Sequence, residues 1–344
     1  MSVASAAISA ERVVLLPFSG PTATESARGM FDYAARARLE SKKLDIVDAD
    51  STSNVLRSLR IRNTAAPLEN EIKALCDSLD AQFVIVGTVH SFVVDSVFSE
   101  ISVCTRMLLS DNSALVWQDC ATITGGGTHS LFSKPAHKSE RKLARAAANQ
   151  LFSTLNLSRS SRKLASTELA GSGNSSRSYY PCLPIAVIPP VDESEVPYSG
   201  DMIGNFLVSS LARHDFIVID PGRVRNVMLA CEDLRYGQSV GAVSKMLSDS
   251  LDAALVVTGT ISKLTPIRLV TLGNSPEVAV ELRMIDPKSN SVVWADHLER
   301  TGRSRKGLFD LGIIYSPAAL ASEVIDDAIS DLKVIRRKVA EPLN

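Results

Sequence analysis

Asp77-Ser78-Leu79-Asp80-Ala81 is spelled again, residue for residue, as Asp249-Ser250-Leu251-Asp252-Ala253, 172 positions further along a chain of 344. Six residues past each copy of the pentapeptide, Gly87-Thr88 falls on Gly259-Thr260. Working back toward the amino terminus, Asn54-Val55 falls on Asn226-Val227 and Ile46-Val47-Asp48 on Val218-Ile219-Asp220. Val13-Val14-Leu15-Leu16-Pro17 falls on Ile185-Ala186-Val187-Ile188-Pro189. Residues 13–92 and 185–264 align without a gap, and 16 of these 80 pairs are identical. Beyond a five-residue insertion the register resumes, pairing Trp117 with Trp294, Thr124-Gly125 with Thr301-Gly302 and Leu131-Phe132 with Leu308-Phe309. Self-similarity of this length marks a duplicated structural unit. The copies occupy 11–157 and 183–340. Residues 158–182 between them are Ser-rich and basic and read as a flexible linker, because such a stretch buries too little apolar surface to offset its ordering entropy.

The apolar runs at 13–16 and 185–188, each stopped by a proline, have the pattern of strands covered on both faces. Helices follow at 23–42, with Thr22 and Glu25 as a capping box, and at 200–213, with Ser199 as cap. Short strands at 44–48 and 216–220 lead to a short helix, which Asp220-Pro221 starts in the second copy. A further helix (68–79; 238–250) runs into a long strand (81–93; 253–265) expected at the centre of the sheet. An antiparallel hairpin comes next, turning at Asp111-Asn112-Ser113 and at Asp286–Asn290. Closing helices span 139–155 and 317–337. In the second, Ser316 is the cap and Leu320, Val324, Ala328 and Leu332 form an apolar stripe. The order βα-βαα-βββ-α predicts an α/β fold: two tandem mixed sheets with helices packed on each.

Hydrophobic residues are 45% of the chain, charged residues 22%, and the net charge is −1. Both signs are spread along its length, which argues against a nucleic-acid footprint. His90, His129, His137, His214 and His297 are isolated from one another, so no metal or cofactor is expected. Asp77/Asp80 and Asp249/Asp252 look like paired carboxylates, yet each pair sits where a helix gives way to a strand. Asp80 and Asp252 are expected to bond backbone amides there. Gly125-Gly126-Gly127 follows a strand and opens no helix, which makes it a loop and not a phosphate cradle. The five cysteines form no CxxC, and Cys104 and Cys120 on facing hairpin strands are read as buried free thiols in preference to a cross-strand bond. The insertion places Ile267, Leu269, Val270 and Leu272 in a hairpin connection. Such residues mark a protein or lipid contact, or a strand extension packed on the other half.

The strand-Pro opening at Val187–Pro190, Asp252–Thr260, Ile285–Trp294 and the GLFDLG stretch Gly307–Gly312 together resemble an envelope domain family. It is the domain shared by the TolB amino-terminal region, the penicillin-binding-protein activator LpoB and the curli secretion lipoprotein CsgG. The resemblance covers both copies and implies a bacterial cell-envelope protein, commonly a lipoprotein, that binds other envelope proteins or itself and catalyses nothing. Met1–Ala10 is not a complete secretory signal. A periplasmic or outer-membrane place follows if a signal was removed, and a cytoplasmic one otherwise. The rival expectation is a small-ligand or nucleotide site near the strand ends at Pro17 and Pro189.

Overall fold

The computed structural model describes residues 11–20, 23–94, 98–125, 139–156, 183–194, 196–230, 240–266, 275–304 and 313–340, with side chains of the last helix described as far as Leu332. The first half runs β1 (Arg12–Leu15), α1 (Glu25–Ser41), β2 (Asp45–Ile46), α2 (Ala49–Ser58), α3 (Glu69–Leu79), β3 (Phe83–Val94), β4 (Ser99–Leu109), β5 (Leu115–Gly125) and α4 (Glu140–Leu151). The second runs β6 (Pro184–Val187), β7 (Val191–Asp192), α5 (Ser199–Arg213), β8 (Ile217–Val218), α6 (Pro221–Ala230), α7 (Val240–Leu251), β9 (Leu255–Leu264), β10 (Glu277–Asp286), β11 (Ser291–Thr301) and α8 (Pro317–Ala340). The expected order of elements appears in both halves, with β7 added in the second.

The sheets are ordered β2-β1-β3-β4-β5 and β11-β10-β9-β6-β8, so the Gly-Thr strand is central in each. β1 lies parallel to β2 and β3, while β3, β4 and β5 are antiparallel, making the sheet mixed. Alternation along β1 explains its fully apolar sequence. Val13 and Leu15 pack in the core with α1 and α4, and Val14 and Leu16 in the core with α2 and α3. Such a three-layer unit buries both faces of its inner strands. The glycine common to both central strands has a steric reason. A Cβ on Gly87 would stand 2.1 Å from the Phe18 ring, and one on Gly259 would stand 2.0 Å from the Glu281 carbonyl oxygen.

Several local expectations are corrected. The cap of α1 is Thr24, whose Oγ1 accepts from the Ala27 amide at 3.2 Å, and Thr22 lies outside the described residues. Ser199 is the first residue of α5, entered through Tyr198 in a left-handed conformation (φ 62°) without a side-chain cap. Cys104 and Cys120 are joined by a disulfide: register pairs them directly across β4 and β5, with Cα atoms 4.1 Å apart. Cys76 is a buried free thiol whose pKa burial pushes up to about 12. Asp80 and Asp252 serve through their backbones, with φ of 51° and 54°, where each chain leaves a helix for the central strand. Aspartate tolerates that left-handed region better than β-branched residues do.

Other expectations hold. Asp220 Oδ2 accepts from the amides of Gly222 and Arg223, and Ser316 Oγ from that of Ala319. Leu320, Val324, Ala328 and Leu332 are all buried. In the turns, Asn112 Oδ1 accepts from the Ala114 amide and Asp286 Oδ1 from that of Lys288. The linker 158–182 and the GLFDLG stretch lie outside the described residues.

Two measurements check these assignments. Asp80→Val forces a β-branched residue into left-handed backbone and should cost about 1–2 kcal/mol in denaturant unfolding, while Asp80→Gly should leave stability within about 1 kcal/mol. Peptide mapping without reductant should recover Cys104 linked to Cys120, and replacing both with alanine should cost about 3 kcal/mol for a loop of this size.

Candidate functional site

The two halves meet because α2 and α3 cover only part of the first sheet. The outward face of β4 and β5 carries Arg106, Gln118 and the Cys104–Cys120 disulfide, which its own helices leave uncovered. α5 of the second half lies on it. Helix α1, its counterpart in the first half, buries five of 17 residues along one stripe. In α5 eleven of 15 are buried, which is the mark of a helix enclosed on nearly all sides. Its sequence allows this, since Asp201 and Arg213 are the only charged residues in Ser199–Arg213. Cys104 joins the same apolar cluster as Ile203, Leu207 and Leu211, so the core of the second half continues into the first.

Polar groups fix the contact. Arg106 Nε lies 2.6 Å from Asp220 Oδ1, and the two side chains are 6% and 1% exposed. Neither atom makes a directed hydrogen bond, so the attraction is Coulombic. Arg106 Nη2 donates to the Ala65 carbonyl at 2.6 Å, while the other Asp220 oxygen caps α6. Gly222 permits the approach, since a Cβ there would stand 2.6 Å from Asp220 Oδ2 and 3.2 Å from the Pro67 carbonyl. The Asn205 carbonyl on α5 accepts from Gln118 Nε2 at 3.1 Å, and its amide nitrogen lies 3.4 Å from His90 Nε2. His90 sits at a break in the β3–β4 register, a bulge that re-aims its ring at Phe206 of α5. Arg223 and Glu69 add a half-exposed pair at 3.3 Å, worth about 0–1 kcal/mol.

Beside this contact a cleft of about 620 Å³ opens between the halves, lined among others by Ser19, His90, Pro189, Asp201, Asn205 and Arg225. Its rim carries Tyr198 and Leu229, 56% and 63% exposed. Burial raises the Asp201 carboxyl above its usual range against the opposing effect of Arg225, and burial alone lowers His90 to about 4. The expected strand-end site is partly present: Pro189 lines the cleft, while Pro17 is exposed.

The residues singled out in the sequence are not gathered into one centre. Asp77, Asp80, Asp249 and Asp252 are exposed at helix ends. His214 lies at the end of α5, 3.4 Å from Asp326, and His297 is exposed on β11. Trp117 stacks on Phe152 and donates to Thr154, and Trp294 packs against the second core. His129, His137, Gly126, Gly127, Ile267, Leu269, Val270 and Leu272 lie outside the described residues. Among the described residues no three His, Cys, Asp or Glu side chains could hold a metal, and no helix is long and apolar enough to cross a membrane. Sequence reasoning missed Arg106 and Asn205. The near absence of charge in α5 was the signal that this helix is enclosed.

The fold and cleft define a pair of mixed α/β units joined through a shared helix. No protein-family model matches the sequence, and no curated protein matches it. Among solved structures, the PelC dodecamer from Paraburkholderia phytofirmans is 18% identical, with 46% of this chain and 93% of that one covered, at a TM-score of 0.29. The LpoB C-terminal domain from Escherichia coli is 10% identical, with 40% and 93% covered, at 0.26. TolB from Acinetobacter baumannii is 16% identical, with 43% and 27% covered, at 0.24.

Mutation probes the interface, and pH probes two buried groups, His90 at the interface and Asp32 within the first half. Asp220→Asn keeps a capping oxygen but strands the buried guanidinium, and should cost about 3–5 kcal/mol in denaturant unfolding. His90 adds stability above its unfolded pKa near 6.5 that is lost as pH falls through about 4. Asp32 on α1, whose Oδ1 accepts from the Phe18 amide at 2.9 Å, works oppositely: burial raises it to about 6, so its contribution is present below 3.8 and lost as pH rises through 6. His90→Gln should therefore flatten the acid-side loss of stability, and Asp32→Asn should steepen it, in unfolding curves recorded from pH 7 to pH 4.

Proposed function

We propose that the chain is a non-catalytic adaptor of the bacterial cell envelope that binds protein partners through its two α/β units. The observation that carries this is the use made of its buried polar groups. Arg106, Asp220, Gln118 and Asn205 are engaged in holding the halves together, and among the described residues no three His, Cys, Asp or Glu side chains could hold a metal. The Cys104–Cys120 disulfide suits an oxidising compartment, and the repeated Asp252–Thr260 and Ile285–Trp294 patterns resemble envelope domains. Tyr198 and Leu229 on the cleft rim offer exposed apolar surface of the kind that anchors protein contacts.

The test is a photo-crosslinking residue at Leu229 in cells, followed by fractionation and thiol labelling. A discrete adduct with an envelope protein, on a chain whose Cys104 and Cys120 resist labelling, supports the reading. A chain that stays in the cytosol with both thiols labelled and forms no adduct overturns it. A second reading has its own observation: the interdomain cleft has the size of a small-molecule site, with Asp201 and Arg225 on its wall. A thermal-shift panel of nucleotides and sugars should then give one large shift that Arg225→Ala abolishes. No shift across the panel sinks that reading.

A further inference from the structure

The contact between the halves is directional. It joins the outward face of β4 and β5 to α5 and the start of α6, two surfaces that differ from each other. Because the halves repeat, the chain also carries an unused copy of each. One is the outward face of β10 and β11; the other is the outward stripe of α1 with the start of α2. We propose that these two surfaces bind each other between copies of this chain, head to tail, repeating the internal interface from one molecule to the next.

The buried ion pair has an unused duplicate. Arg106 stands opposite Val86 in the first sheet, and Arg283 stands opposite Thr258, the position equivalent to Val86, in the second. Asp220 caps α6, and its equivalent Asp48 caps α2, with Oδ2 accepting from the Ser51 amide at 3.0 Å. Arg106 and Asp220 are buried against each other. Arg283 is 51% exposed and reaches only as far as Glu281, two residues along its own strand, and Asp48 is exposed. Each half of the chain thus holds one member of a second Arg–Asp pair, with Arg283 on Glu281 and Asp48 on the Ser51 amide.

Shape repeats as well as charge. The register breaks at Val89/Ser91 and Met107/Leu108 recur at the equivalent positions around Ser262 and at Met284/Ile285, so the two sheets bulge at the same points of their backbones. On the helix side, Asn205 is the α5 residue set into the first sheet, and its equivalent on α1 is Tyr33, 71% exposed. Ser26, Gly29 and Ala37 continue that stripe and are exposed too. Where Asn205 meets Gln118, Tyr33 would meet the equivalent of Gln118, the exposed Ala295: a larger residue opposite a smaller one. Gln118 is 5% exposed beneath α5, whereas Ala295 is exposed and open to a second copy. The match is between two surfaces of this one sequence, which is why the occupant is a second copy and not an unrelated protein. An interface of this heterologous kind closes into a ring or runs on as a filament.

This inference needs no envelope location and is tested separately, by sedimentation velocity on the purified full chain over a concentration series. Wild type should form species larger than one chain. A tail variant, Arg283→Glu, should weaken association about 30-fold or more, the scale for stranding one member of a buried pair. A head variant, Tyr33→Asp with Asp48→Asn, should do the same. Its asparagine preserves the cap of α2, and all three changed side chains are exposed, so folding, checked by unfolding midpoint, should be unaffected. Mixed in equal amounts, the head and tail variants retain one intact surface of each kind and should form a two-chain complex and nothing larger. A wild-type chain that stays monomeric at its solubility limit overturns the proposal. So do variants that assemble as wild type does, or a mixture that stays monomeric or regains the full wild-type size. Ala295→Arg, on the exposed sheet face, gives an independent tail variant with the same expected outcomes.

Discussion

The arrangement of the molecule depends on one helix being enclosed between two sheets. α5 closes the core of its own half against β6, β9 and α8, and with its other side it covers β4 and β5 of the first half. A helix in that position cannot carry a charged outer stripe, because each unpaired charge moved out of water there costs several kcal/mol. Its sequence obeys this limit, whereas its counterpart α1, which has no second sheet over it within the chain, carries Glu25, Arg28, Asp32, Arg36, Arg38 and Glu40, none of them at Ser26, Gly29, Tyr33 or Ala37. The duplicated units have therefore diverged where their surroundings differ and stayed alike where they do not.

The ion pair beside α5 has a different role from the apolar contact. Burying Arg106 and Asp220 costs both of them hydration, and their attraction roughly offsets that loss without adding much net stability. What the pair supplies is orientation. Apolar contact between a helix and a sheet tolerates sliding and rotation, whereas a guanidinium held by the Ala65 carbonyl and by a carboxylate fixed at a helix start tolerates neither. Asp220 performs both tasks at once, with one oxygen on the α6 amides and the other toward Arg106, so the start of α6 and the placement of the halves are set by one side chain. Cys104–Cys120 staples β4 to β5 on the face that receives α5, which keeps that surface from shearing.

Much of the fold was legible in the sequence because its determinants are local. The order of elements, the central Gly-Thr strand, the proline stops, the Asp220 and Ser316 caps and the Asp286 turn all rest on periodicity or on hydrogen bonds within a few residues. The cleft was much less legible. Arg106 reads as an ordinary strand residue, and its partner lies 114 positions away in the other half. Asp220 reads locally as a cap, and that role hides its distant one. The disulfide is hidden for a related reason: cysteine type and spacing permit a cross-strand bond, but only the register, pairing Cys104 with Cys120, requires the two to face each other. Asp80 and Asp252 show the converse. Their recurrence was real, but it recorded a backbone conformation and not a side-chain bond.

Duplication has a consequence for surfaces that it lacks for cores. When a unit is copied and the copies pack on each other, the cores can be preserved unchanged, but an asymmetric contact consumes one face of the first unit and a different face of the second. The two faces left over are then the counterparts of the two that meet, and they match only where substitution has left the contact residues alike. Drift on a free surface readily replaces an exposed arginine or tyrosine, since most such changes alter stability by less than about 0.5 kcal/mol. Arg283 has kept the arginine of its buried counterpart and Asp48 the aspartate of its own, although each is solvent-exposed within a single chain. Of the two, Asp48 has a sufficient local reason in the cap of α2. Arg283, whose bond to Glu281 any long cation could make, has no such local reason, which is why the proposed contact between molecules turns on it.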